Sequence, residues 1–115
     1  MVYAEGKDIL TNVLEDIPYT ENMMGKRELV NEKYLLVMQA ALKPGQSVPQ
    51  HKANSNVNIL VVEGRVVINL AGKDIESKKG DLVPVAFKTS MSIKNTSDQN
   101  ASFLIIKTPN PSEIQ

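Results

Sequence analysis

Cysteine is absent from these 115 residues, and with it go disulfides, thiolate nucleophiles and every cysteine-based metal site. A zinc ribbon or a thiol enzyme is excluded, while the redox compartment stays open. The chain also lacks an excess of charge: 13 Lys and Arg face 13 Asp and Glu, scattered along the sequence, for a formal net charge of zero. Nothing in that balance favours a nucleic-acid partner or an anionic membrane. No apolar run approaches the roughly 18 to 20 residues that span a bilayer, and no basic start precedes an apolar stretch at the amino terminus. Cytoplasmic residence is the expectation. Asn95-Thr96-Ser97 and Asn100-Ala101-Ser102 match the glycosylation acceptor pattern, but without a secretory signal they read as polar turn residues. No internal repeat, low-complexity tract or linker divides the chain, whose length suits one domain that buries somewhat over ~60% of its unfolded surface.

What the chain does contain is a regular spacing of turns. Lys43-Pro44-Gly45-Gln46 is one, because proline presets its own φ and glycine accepts positive φ at the third position. Residues 57–62 and 66–70 are rich in β-branched side chains and read as two strands of a hairpin around a Glu63-Gly64-Arg65 corner. Further turns fall at Leu70-Ala71-Gly72-Lys73-Asp74, at Lys79-Gly80-Asp81 and over 95–100. Signals at such intervals predict an all-β chain, a small antiparallel barrel or sandwich with little helix. Upstream, residues 8–17 carry apolar side chains at helical spacing, yet Pro18 stops any helix there and an extended lead-in is the favoured reading. Residues 20–26 read as a loop, then 28–30 and 33–42 as strands joined by Asn31-Glu32. Met23-Met24 could line a ligand mouth, although core or dimer packing is the plainer role. The prolines after Thr108 forbid a central strand and predict a frayed tail, with an arm crossing a neighbouring subunit as the alternative.

The central spacing resembles the cupin superfamily, in particular its compact single-domain, conserved-barrel members. The first motif of that family places a glycine five residues before His-x-His, then a glutamate and a glycine; this chain offers Gly45, His51, Lys52, Ala53, Val57 and Gly64 at the matching intervals. The second motif runs from a glycine through Pro-x-Gly to a histidine and an asparagine. Here Gly80, Ala86, Phe87, Lys88, Met91 and Asn95 stand at those positions. The resemblance implies a single cupin domain over 1–115: lead-in strands over 1–32, a jelly-roll barrel over 33–108 and a flexible tail over 109–115. It also implies what is missing. Cupin metals are usually held by the two histidines and the glutamate of the first motif and the histidine of the second, and only His51 survives of those four. Ala53 and Val57 have no donor atom, and the thioether of Met91 suits iron, manganese or zinc poorly. One imidazole cannot hold a hard divalent ion against water, since functional sites use about three protein ligands. A degenerate metal site, with no cofactor, is the expectation.

If the family arrangement holds, strand alternation turns His51, Ala53, Val57, Ile59 and Val61 inward, with Met91 and Ile93 opposite, while Asn56, Asn58 and Leu60 face out. The expected pocket lining is His51, Ala53, Val57, Ile59, Met91 and Ile93: hydrocarbon around one imidazole, suited either to a compact ligand or to a packed core. His51 could merely hydrogen-bond a backbone carbonyl; acid or base catalysis would need an orienting carboxylate, for which Asp74 and Glu76 are the candidates. Lys52 and Lys88, near the presumed mouth, are the candidates for attracting an anion, whereas Lys78-Lys79 is a solvated rim. Three function classes follow. The first is a metal-free, non-catalytic cupin that binds a small molecule or a partner, as a homodimer that covers open β edges. The second is a metal-independent sugar epimerase or isomerase using His51 as acid or base. The third is a metal-dependent oxygenase or isomerase with non-standard ligands.

Overall fold

The computed structural model describes residues 10–114, and nine strands account for most of them. In chain order these are β1 (Gly25–Glu32), β2 (Leu35–Leu42), β3 (Ser47–Lys52), β4 (Asn56–Glu63), β5 (Arg65–Leu70), β6 (Lys73–Lys78), β7 (Leu82–Val85), β8 (Ser90–Lys94) and β9 (Ala101–Thr108). They form two antiparallel sheets, one ordered β1-β2-β9-β4-β7 and the other β3-β8-β5-β6. This is a jelly roll: apart from the β1–β2 and β5–β6 hairpins, consecutive strands alternate between the layers, and the inner faces of both supply a single core. Period-two alternation decides which side chains enter it. In β4, Val57, Ile59 and Val61 are buried while Asn56, Asn58 and Leu60 are not, and β5 and β8 repeat the pattern with Val66, Ile68, Met91 and Ile93. Phe103 from β9 fills the centre, fully buried against Ala40 and Val61, its register partners.

Several local expectations need correction. The 57–62 and 66–70 runs are strands but not a hairpin: β4 pairs with β7 and β9, whereas β5 pairs with β6 and β8 in the opposite sheet. Gly64 is the corner where the chain changes layers. Its φ is +68°, and a Cβ there would lie 2.2 Å from the carbonyl oxygen of Asn100, so only glycine fits. The true hairpin is β5–β6, closed by Ala71 and Gly72, both at positive φ as a type I′ turn requires. The β1–β2 connection is Lys33-Tyr34 rather than Asn31-Glu32, and Lys26 belongs to β1 and not to the loop before it.

Both ends of the described chain are docked. Of the 8–17 segment, residues 8 and 9 lie outside the described residues, and the rest is a turn instead of an extended lead-in. Arg27 holds that turn by donating to the carbonyls of Asn12, Glu15 and Asp16, and the fully buried Gln39 donates to the carbonyl of Val13. At the other end Asn110 is buried and donates to the Asn31 side chain and the Glu32 carbonyl, and a 3-10 helix, Pro111–Glu113, follows. Asn110 thus ties the start of the tail to the β1 end.

Candidate functional site

A cavity of about 310 Å³ opens between the sheets, and most of its wall is hydrocarbon. β2 supplies Met38 and Ala40, β4 Val57, β8 Met91 and Ile93, and β9 Ile105. β3 adds Val48 and His51, and the loop after it adds Ala53 and Asn54. Strand register explains the convergence: His51 is paired directly with Met91, and Val57 with Lys107. Five of the six expected lining residues, His51, Ala53, Val57, Met91 and Ile93, therefore line one cavity. Ile59 does not. It points the same way as Val57 but one pair deeper, where it is fully buried in the core behind the cavity.

His51 owes its orientation to Pro49. Proline has no N–H to give the ladder, β3 is an edge strand, and its register with β8 shifts between Val48 and His51. The freed carbonyl of Pro49 lies 2.9 Å from His51 Nδ1. A carbonyl can only accept, so Nδ1 carries a proton in this contact. Among the described residues no carboxylate orients this imidazole. Asp74 accepts from the Asn69 amide across the β5–β6 hairpin, and Glu76 belongs with Arg65, Lys78 and Asp81 to a separate, more open hollow.

Two residues that sequence reasoning passed over change the character of the cavity. Lys26 of β1 and Lys107 of β9 both line it, and among the described residues no acidic side chain does. Lys107 is half-buried, and its ammonium is pushed below the ordinary lysine range, first by burial and then by the like charge of Lys26. Among the described residues neither lysine has an ion-pair partner; the one salt bridge there joins Lys43 to Glu21. Lys52 and Lys88, the lysines favoured from sequence, are not on the wall, and the Lys88 ammonium sits 5.3 Å from the Phe87 ring centre. Met24 is on the wall while Met23 is 69% exposed.

The chain matches the cupin domain family over residues 38–107, more than half its length, and belongs to that family. An uncharacterised protein of Methanocaldococcus jannaschii is 26% identical over 114 residues, spanning 98% of this chain and 88% of its own. A crystal structure from that organism, an RmlC-like cupin with a double-stranded β-helix fold, superposes with a TM-score of 0.75 at 23% identity, covering 90% of this chain and 98% of the other. A Thermotoga maritima structure, named a predicted oxalate decarboxylase, gives 0.73 at 26% identity over 87% and 98% of the two chains. The metal common in cupins does not fit the donors found here. One imidazole and the thioethers of Met24, Met38 and Met91 line the cavity beside Lys26 and Lys107, and among the described residues no three His, Cys, Asp or Glu side chains converge anywhere.

Proposed function

We propose that this cupin is a metal-free, non-catalytic binding protein whose inter-sheet cavity holds a compact small molecule. The observation that supports the reading is the wall itself: aliphatic and thioether side chains line about 310 Å³, with His51 as the one imidazole among them. That volume is at the small end of the range of roughly 300 to 1,000 Å³ usual for ligand sites. Acid–base catalysis is disfavoured because His51 has no carboxylate to orient it and the lining offers few polar contacts for a sugar. The same proposal includes pairing as a homodimer and a cytoplasmic location. Pairing is supported by the outer face of the larger sheet, where Leu60, Leu104 and Ile106 are only half-buried and Leu82 is 57% exposed.

The test is a metabolite screen by thermal shift on the wild-type protein and on Ala53→Phe, which fills the cavity from its wall. A ligand should raise the wild-type melting temperature and leave the variant's unchanged. Equal shifts in both proteins would place binding elsewhere, and stoichiometric iron, manganese or zinc by elemental analysis would overturn the metal-free reading.

A further inference from the structure

We infer that the ligand is a small carboxylate with an apolar body, its charged end seated between Lys107 and Lys26 at the rim of the cavity. The inference rests on the cavity being a binding site, and it adds what kind of molecule enters. Three observations carry it. Lys26 and Lys107 line the cavity from different strands, close enough for one charge to act on the other, and among the described residues no acidic side chain lines it with them. One of the two, Lys107, continues the inward-facing series of β9 after Phe103 and Ile105, so its stem lies along the apolar wall and its charge is half removed from water. The remaining wall is hydrocarbon, which has no use for a hydrated inorganic anion but suits an alkyl or aryl body.

Placing two like charges beside each other in a partly dry site is unfavourable, and nothing in the described chain offsets it. A carboxylate would offset it, with charge-assisted hydrogen bonds to both ammonium groups while its apolar part displaces water from the cavity. A phosphate ester is a poorer match, because its additional charge and acceptor oxygens would call for more donors than the rim presents. The titratable groups facing Lys107 are His51 from β3 and Lys26 from β1. Glu28, two residues beyond Lys26 on β1, is engaged by the Asn31 amide and is not on the wall. Carboxylate affinity should then be full while Lys107 is protonated and fall as pH rises through its lowered pKa, earlier than for an ordinary lysine.

Calorimetric titration with hexanoate and phenylpropionate, their matched alcohols, and inorganic sulfate and phosphate tests the inference on the intact chain. Both carboxylates should bind more tightly than the alcohols. Lys107→Met should weaken them about tenfold without affecting the alcohols, and Lys26→Met, at the more exposed position, about threefold. Lys107→Arg should retain affinity and lose its alkaline decline, because guanidinium stays charged. Alcohols that bind as well as the carboxylates would overturn the anion assignment and leave the cavity reading standing. Sulfate or phosphate that competes as well as hexanoate would reduce the rim to a simple ionic patch and overturn the assignment. If neither carboxylates nor alcohols bind, the cavity reading itself fails.

Discussion

Asn95 shows how a single side chain can hold three segments. It is buried, and its amide donates to the carbonyls of Leu42 and Gln99 at 3.0 and 2.7 Å while its oxygen accepts from the backbone and hydroxyl of Ser97. Its own backbone closes the turn after β2 through Gly45 and Gln46. Asn95→Ala would leave two carbonyls and a buried turn without donors, so urea denaturation should show a loss of about 2 kcal/mol or more. A change below ~0.5 kcal/mol would mean that water replaces the amide. At this scale the sequence was partly legible. His51, Ala53, Val57, Met91 and Ile93 were placed together by the family resemblance combined with strand period, and all five line one cavity. Lys107 was equally within reach of that period, two residues beyond Ile105, but a lysine near a strand end looks like surface. Lys26 was lost because the β1 boundary was set too late.

Strand identities were readable from β-branched runs and turn residues, whereas strand partners were not. The β4–β5 connection looks like a hairpin because two apolar runs flank a glycine. Whether such a corner folds back or crosses to the other layer depends on distant strands, here β9 and β8, that compete for the same edges. The crossing makes Gly64 more demanding than a hairpin glycine. Gly64→Val combines an unfavourable φ with a collision against the Asn100 carbonyl, and should cost well over ~1 kcal/mol by thermal or chemical melt. The β3–β8 ladder offers a constructive test. Met91 is the register partner of His51, and Ala53 lines the same wall. Ala53→His with Met91→His should bring three imidazoles to one place and create zinc or nickel affinity measurable by calorimetry. Binding no tighter than wild type would show that the three side chains do not meet.

On the scale of the whole molecule, the all-β class followed from turn spacing, and the two-sheet fold agrees. The structure adds a difference between the faces of the larger sheet. Its inner face builds the core and the cavity, and its outer face presents Leu60, Leu82, Leu104 and Ile106 with no helix among the described residues laid across them. Because these positions are uncharged, a second copy can meet the same face without repulsion, as a two-fold contact requires. Light scattering should therefore give the mass of a dimer for the wild type, and Leu82→Glu with Leu104→Glu should shift it to monomer with the cavity intact. A monomeric wild type at micromolar concentration would reject the pairing.

The turn near the amino end is gripped by Arg27 and Gln39 through main-chain carbonyls at positions 12, 13, 15 and 16. Such a grip does not read the side chains of Val13 or Glu15. A spin label or fluorophore attached at position 15 would ride on a rigid mount, far better defined than a tag on a free terminus, and could report distances between paired copies without touching the cavity.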